Sequence, residues 1–392
     1  MTPDVAPALG GVVAAAERAL AQQWRCDVGL LPLNPGAAVR PHSTVVRCLV
    51  RTESADAPVT VIVKALRDYD VLHVSPEAPA GRFLNEWAAL RLLSEFGTDA
   101  APRPLAGDRD LGVLVLEDLG SGASLQDVLD SGPADAAVIA LNAYATGLGR
   151  LHALSIGAFG HFESIRTDLG LPAAAADPFV SRWSARNLPV LPSLCADLGC
   201  GWSHQAQQEL DSTVQAIAEP GPWQALSQGD TCPENHRLAG NTIRFLDFEY
   251  CGFRHALLDA AFLALPFPTC QHVRRLPAAA VEPALEVYRS QLASSCTAAS
   301  DDALWRANML RARAWWTMLS LGAYLRQALE ADRVIGSTSM RQRLLLWLET
   351  FISDSASGLP ALHSVAAEVR TLLRGRWGPE AESPVFTAFQ PR

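Results

Sequence analysis

A change in the hydrophobic pattern near residue 120 is the feature that most constrains what this chain can fold into. Before that point, short β-branched runs alternate with turn residues, and one stretch, 82–96, has helical spacing. After it, apolar residues recur mainly at helical spacing, most clearly over 134–156 and 303–329. The pattern predicts an α+β protein of two lobes, a small lobe with an antiparallel sheet and one main helix and a larger, mostly helical lobe.

The predicted lobes cover residues 1–120 and 121–392, joined by a strand near 114–120. Residues 157–222 contain many Pro and Gly breaks, so few elements are predicted there. The predicted strands are 26–33, 43–51, 59–66 and 111–116 in the first lobe and 242–248 in the second.

Composition argues against several classes of protein. A chain of 392 residues with 49% hydrophobic residues is apolar enough to bury a core and unlike a disordered chain. A net charge of −9 argues against a nucleic-acid partner, and no apolar run is long enough to indicate a membrane partner. The N-terminus does not resemble a secretory leader, and the eight cysteines include no Cys-x-x-Cys pair. We therefore expect a cytoplasmic monomer or homodimer with free thiols.

Lysine is almost absent from this chain. Of 32 basic residues only Lys64 is a lysine, and it follows the apolar, β-branched run at 61–63. A compact ammonium fits where the larger, planar guanidinium of arginine does not. A lysine that persists among arginines inside a predicted strand is therefore a candidate functional residue, with chance survival as the alternative.

Three more segments with carboxylate or amide side chains follow Lys64. Glu86 lies at the edge of the apolar face of the helix predicted over 82–96, where an unpaired carboxylate is costly. Asp230 and Asn235 share one loop, and Asp247 follows twelve residues after Asn235. Phosphoryl transfer from a nucleotide needs such a set: a lysine on the phosphates, a glutamate that holds it, a base for the attacking hydroxyl, and oxygen ligands for Mg²⁺.

These segments resemble the aminoglycoside phosphotransferase and choline kinase-like superfamily, whose fold is protein-kinase-like. The family's catalytic loop reads His-Gly-Asp, four residues, Asn; here 228–230 read Gln-Gly-Asp, and Asn235 follows at the matching distance. The Leu-Asp pair at 246–247 resembles the start of its metal-binding segment, and 114–120 resembles its interlobe hinge. The resemblance covers about residues 25–330 and is specific in the catalytic segments.

The resemblance implies that the chain transfers the γ-phosphate of ATP or GTP to a hydroxyl group of a small molecule. It implies Asp230 as the catalytic base and Asn235 and Asp247 as Mg²⁺ ligands. It also implies that Lys64, paired with Glu86, contacts the α- and β-phosphates. Three further nucleotide contacts are implied: the side chain of Ile62 over the base, and backbone groups of Glu117 and Leu119 at the adenine.

The sequence departs from the family pattern at two places, and the first of them, Gln228, keeps a second function open. Gln228 stands where the family has a histidine, and an amide can replace it as a hydrogen-bonding group or mark weak activity. No Gly-x-Gly-x-x-Gly loop is present, and residues 34–43 are expected to take its place. The alternative is a catalytically weak nucleotide-binding pseudokinase or regulatory protein. A protein kinase is disfavoured because an Ala-Pro-Glu segment is also missing.

Four other residues have both a structural and a functional interpretation. Asp259 is predicted to support the catalytic loop, and His152 is predicted to be a buried core histidine. Trp315 and Trp316 are adjacent on the predicted helix 303–329 and are suited either to a cage for a quaternary ammonium or to the core. We favour the core because large aromatic side chains dominate protein interiors.

Overall fold

The computed structural model describes residues 5–33, 43–66, 78–173 and 178–391. Residues 34–42, which belong to the segment expected to replace the glycine loop, lie outside the described residues. The described residues form two compact units. The sheet unit lies within Met1–Gly122, Ala158–Ala175 and Arg244–Cys251, and the helical unit lies within Ala123–Gly157, Ala176–Ile243 and Gly252–Arg392.

The secondary structure agrees with the predicted α+β class. Within the part of the chain that the structure describes, no helix combines the length and the apolar character that a membrane span needs. In chain order the helices are α1 (Val5–Trp24), α2 (Pro79–Glu95), α3 (Leu125–Ser131), α4 (Ala134–Ser155), α5 (Phe159–Asp168), α6 (Phe179–Asn187), α7 (Leu191–Leu198), α8 (His204–Ala218), α9 (Leu257–Ala264), α10 (Ala278–Leu292), α11 (Asp302–Glu330), α12 (Met340–Ser355) and α13 (Pro360–Trp377). The strands are β1 (Val28–Leu33), β2 (Ser43–Thr52), β3 (Thr60–Leu66), β4 (Pro104–Asp108), β5 (Val113–Glu117), β6 (Gln224–Ser227), β7 (His236–Ala239), β8 (Thr242–Phe245), β9 (Gly252–His255), β10 (Val334–Ile335) and β11 (Thr338–Ser339).

The sheet unit is built on a five-stranded antiparallel sheet in the order β1-β2-β3-β5-β4. Side chains alternate across β3, so Val61 and Val63 are fully buried in one core with Leu20 of α1. Ile62 and Lys64 therefore point to the opposite face, as the period of the strand predicts. The predicted antiparallel sheet is confirmed. One of its faces is buried in the core with α1, and the other carries Ile62 and Lys64.

Helix α1 is an element that the sequence analysis missed. Its buried positions include Ala15 and Ala16, which form the core beneath the sheet together with Leu20. Alanine is a strong helix former, which agrees with a helix at this place. The sheet unit thus contains a second long helix besides α2.

The helical unit includes α11, a helix of 29 residues whose first turn is capped by Asp301. Trp315 and Trp316 are 0% and 5% exposed, so both lie in the core. Their indole nitrogens donate to Ser184 Oγ and to the carbonyl oxygen of Leu258, each over 2.9 Å. The packing interpretation of this tryptophan pair is confirmed, and the pair forms no cage in this structure.

The segment 157–222 was predicted to be largely irregular, but its described residues, 157–173 and 178–222, include the four helices α5 to α8. The prediction was wrong because proline was taken as a break. Pro178 precedes the first residue of α6, and Pro192 lies in the first turn of α7, where a missing N–H costs nothing. Ser203 caps α8 by accepting a hydrogen bond from the Ala206 amide.

One disulfide corrects the expectation that all thiols are free. Cys232 and Cys270, which are 38 positions apart in sequence, are joined. Such a distant pair leaves no spacing signal in a single sequence, which is why the sequence analysis missed it. The other cysteines carry free thiols: Cys26, Cys48, Cys195, Cys200, Cys251 and Cys296.

Candidate active-site groups

In the sheet unit, the lone lysine lies between two carboxylates. Lys64 Nζ is 2.6 Å from Glu86 Oε2 and 2.9 Å from Asp247 Oδ1. These residues are 22 and 183 positions away in sequence, yet both carboxylates contact the same ammonium group. The structure therefore brings together three of the residues that the sequence motifs singled out.

Each member of this cluster is positioned by a different element. Strand β3 turns Lys64 away from the face that α1 covers, and α2 buries Glu86 so that only 2% of it is exposed. Asp247 follows β8 and has φ +62°, in the left-handed region that aspartate tolerates better than most residues. In this backbone conformation the Asp247 carboxylate contacts the lysine.

Burial and charge act in opposite directions on this cluster. Burial lowers the pKa of Lys64, but the Glu86 and Asp247 carboxylates outweigh that effect and hold the pKa above its ordinary value. Burial raises the pKa of Glu86, and the Lys64 ammonium opposes this rise. Lys64 is therefore a fixed positive charge, held at its terminal nitrogen.

The end of β5, where the nucleotide base is expected, is braced by a second ionic contact. Glu117 accepts hydrogen bonds from Arg244 over 2.9 and 3.2 Å. Burial raises the pKa of Glu117, but the hydrogen bonds from Arg244 and from the Arg103 amide outweigh it, so the pKa is lowered overall. Ile62, the residue predicted to cover the base, pairs in register with Leu116, next to Glu117.

The residues after β5 form a turn, and a side chain of β2 stabilises it. Arg47 donates to Asp118 Oδ1 over 2.7 Å, and Asp118 Oδ1 also accepts the Gly120 amide over 2.9 Å. The backbone of Leu119 lies inside this turn. Arg47 and Arg244 were missed because a single arginine in an arginine-rich chain has no sequence signal of its own.

In the helical unit, the predicted catalytic loop follows β6. Gly229 has φ +88°, a conformation that favours glycine, and its amide donates to Ser227 Oγ over 3.0 Å. Asn235 Nδ2 donates to Asp230 Oδ2 over 2.9 Å and to the Asp230 carbonyl oxygen over 3.1 Å. The loop therefore brings together the predicted base and one predicted Mg²⁺ ligand.

A chain of buried hydrogen bonds supports this loop. Ser227 Oγ donates to Asp259 Oδ1 over 2.8 Å, and Asp259 Oδ2 lies 3.3 Å from His152 Nε2. His152 Nδ1 is 2.7 Å from the Tyr288 hydroxyl, and the four residues are at most 4% exposed. Asp259 and His152 are thus structural, as predicted. Ser227 was missed because a serine at a strand end has no distinguishing sequence signal.

The oxygen donors in these two groups suit Mg²⁺, a hard cation that prefers oxygen ligands. Asn235 points its amide nitrogen at Asp230, so its amide oxygen faces away from that carboxylate. Asp247 supplies a carboxylate that is 34% exposed and already contacts a cation, Lys64. Each of these two side chains therefore offers an oxygen of the kind that Mg²⁺ prefers.

Comparison with known proteins gives a mixed result. No family model matches the sequence, and no curated protein matches it. Among solved structures, the chain is similar to an ethanolamine kinase from Plasmodium vivax, at 12% identity and a TM-score of 0.46, covering 86% of this chain and 83% of that one. It is also similar to a choline/ethanolamine kinase family protein from Mesorhizobium loti, at 15% identity and a TM-score of 0.45, covering 86% and 92%. A macrolide 2′-phosphotransferase from Brachybacterium faecium matches at 16% identity and a TM-score of 0.40, covering 79% and 94%.

These solved structures come from small-molecule kinases, the classes that the sequence motifs resemble. Because every TM-score is below 0.5 and every identity is at most 16%, the likeness does not decide what this chain does. The assignment of function therefore rests on the residues of this chain.

Proposed function

We propose that this chain is a phosphotransferase that moves the γ-phosphate of ATP or GTP, with Mg²⁺, to a hydroxyl group of a small molecule. One observation supports this proposal above all others: the only lysine of the chain is held between Glu86 and Asp247. A lysine that merely stabilised the fold needs one buried partner, whereas this one contacts a second carboxylate that is partly exposed.

In the proposed reaction Lys64 binds the α- and β-phosphates of the nucleotide. Glu86 holds the ammonium in place and offsets the cost of its burial. Arginine would present a wider, planar group in the same space. The nucleotide base is proposed to lie against Ile62, with backbone groups of Glu117 and Leu119 as its hydrogen-bonding partners.

Asp230 is the proposed catalytic base. Its carboxylate is fixed by Asn235, so it can accept the proton of the acceptor hydroxyl without a search for the right orientation. Mg²⁺, when held by Asn235 and Asp247, would neutralise the charge that develops on the phosphates. Phosphoryl transfer then depends on placement and electrostatics, which this set of side chains supplies.

The test is a screen for ADP or GDP formation with Mg²⁺ across aminoglycosides, choline-like amines, amino alcohols, sugars and nucleosides. We expect at least one acceptor to stimulate nucleotide turnover, and Asp247→Asn to abolish the stimulation. Asp211→Asn, an exposed change on α8, serves as the matched control and should leave turnover unchanged. Full turnover in Asp247→Asn would contradict the assignment of this residue.

A regulatory nucleotide-binding protein is the second candidate, and Gln228 favours it, because this fully buried amide stands where the family has a histidine. Its signature would be a thermal shift with Mg²⁺ and nucleotide but no turnover on any acceptor. In that case Gln228→His should restore measurable turnover if the missing histidine is the cause.

A further inference from the structure

The disulfide of the helical unit lies inside the proposed catalytic loop. Cys232 follows Asp230 by two residues and precedes Asn235 by three. Cys232 and Cys270 are 3% and 1% exposed, whereas Asp230 is partly exposed. One carboxylate oxygen of Asp230 and the two sulfur atoms all lie within 4.8 Å of one another. This grouping of two sulfurs and one carboxylate is not needed for phosphoryl transfer.

We propose that reduction of the Cys232–Cys270 bond creates a binding site for a thiophilic divalent cation such as Zn²⁺, with Asp230 as the third ligand. A dithiol reductant supplies two electrons and two protons, which convert the S–S bond to two thiols while the dithiol closes to a cyclic disulfide. Zn²⁺ then displaces the two thiol protons and binds both thiolates.

The geometry of the opened pair fits zinc. A tetrahedral site with Zn–S bonds of about 2.3 Å needs its two sulfurs about 3.8 Å apart. The Cα atoms of Cys232 and Cys270 are 5.5 Å apart, so rotation of the two side chains is enough to open that gap. Three protein ligands leave a fourth position for water, the pattern of zinc sites that remain open to solvent.

The backbone around each cysteine is held by contacts that do not depend on the disulfide. The carbonyl oxygen of Cys232 accepts the Asn235 amide over 2.9 Å. Arg343, which is 2% exposed, donates to the carbonyl oxygens of Cys270 over 2.5 Å and of Gln271 over 2.6 Å. The backbone of each cysteine is thus fixed within its own segment, and the proposed site requires the two segments to stay near each other after reduction.

The proposed site differs in chemistry from the Mg²⁺ site. Thiolates are soft ligands that select zinc, whereas Mg²⁺ takes oxygen ligands. Because Zn²⁺ would occupy the Asp230 carboxylate, its binding should block phosphoryl transfer; this consequence rests on the proposed role of Asp230 as the base. Oxidation of Cys232 and Cys270 removes both thiolates and should protect the enzyme from the metal.

The binding test uses the full chain, reduced with a dithiol, desalted without oxygen and titrated with Zn²⁺ against a chromophoric chelator. We expect about one equivalent of tightly bound Zn²⁺ in the reduced protein and none in the oxidised protein. Co²⁺ in place of Zn²⁺ should give a thiolate-to-metal charge-transfer band. Cys270→Ser and Asp230→Asn should each weaken binding by at least about tenfold, and the control Cys195→Ala should bind as the parent chain does.

Absence of Zn²⁺ binding to the reduced protein, or unchanged binding in Cys270→Ser, would overturn the proposed site. Asp230→Asn keeps both cysteines and so tests the site even if Cys270→Ser fails to fold. A separate activity measurement keeps the two proposals apart. Zinc that binds the reduced protein without slowing nucleotide turnover would contradict the role of Asp230 as the base. The titration would still support the zinc site.

Discussion

Replacement of Lys64 by methionine tests whether the Lys64 ammonium group compensates the charge of the buried Glu86 carboxylate. Methionine has a similar length but no charge, so Lys64→Met leaves Glu86, which is 2% exposed, without the partner at 2.6 Å. A buried carboxylate without a partner takes up a proton rather than stay ionised. We therefore expect the pKa of Glu86 to rise further above its ordinary value of 4.5 in this variant.

The magnitude follows from proton linkage. Between the ordinary pKa and the raised folded pKa, folded Glu86 holds a proton that the unfolded chain releases. The variant therefore keeps its stability below pH 4.5 and loses it as the pH rises toward the folded pKa. The loss grows by about 1.4 kcal/mol per pH unit over the interval between these two pKa values. Removal of one partner of a buried ion pair typically costs roughly 3–5 kcal/mol.

The assay is urea unfolding at several pH values between 5 and 8. The double variant Lys64→Met/Glu86→Gln should recover much of the lost stability because it removes the stranded charge, yet it should remain inactive. Arg91→Met is the matched control: Arg91 lies on α2 and makes an exposed ion pair with Glu95 at 3.8 Å, worth at most about 1 kcal/mol. A pH-independent loss in Lys64→Met, or no recovery in the double variant, would refute this reasoning.

Three further predictions concern the lysine, the loop support and acid stability. Lys64→Arg should fold normally but lose at least about tenfold in turnover, because the guanidinium does not fit between two carboxylates. Near-normal turnover would mean that the single lysine survived by chance and has no functional role. Ser227→Ala removes the 2.8 Å hydrogen bond to buried Asp259 and should lower the free energy of unfolding by about 1–3 kcal/mol in urea, and a change below about 0.5 kcal/mol would contradict the supporting role. Burial lowers the pKa of His236 to about 3 and that of His255 to about 4. Because the unfolded chain binds protons that the folded chain excludes, stability should fall by about 1.4 kcal/mol per pH unit for each histidine as the pH drops from 6.5 toward 4, and His236→Gln should halve that slope.

The sheet and the lysine cluster were largely predictable because their signals are local. The period of two residues along β3 fixes which face Lys64 takes, and the structure confirms it. The apolar stripe of α2 placed Glu86 at a buried edge, where it needed a partner. The order of the motifs then indicated Glu86 as the partner of the lysine, whereas the contact of Asp247 with Lys64 was not predicted.

Other features were not predictable because their causes are not local. The disulfide joins positions 232 and 270, a pairing that only the tertiary fold creates. The salt bridge of Arg244 with Glu117 spans 127 positions, and any of the 31 arginines was an equal candidate. Helix α1, whose buried face includes Ala15 and Ala16, was also missed.

The most direct test of the central claim compares the parent chain with Asp230→Asn once an acceptor is known. Acceptor-dependent ADP or GDP formation and the affinity for Mg²⁺ and nucleotide are measured in both proteins. We predict that Asp230→Asn binds nucleotide nearly as the parent chain does but loses at least about a hundredfold in turnover, because it cannot accept the hydroxyl proton. Undiminished acceptor-dependent turnover in Asp230→Asn would contradict the account.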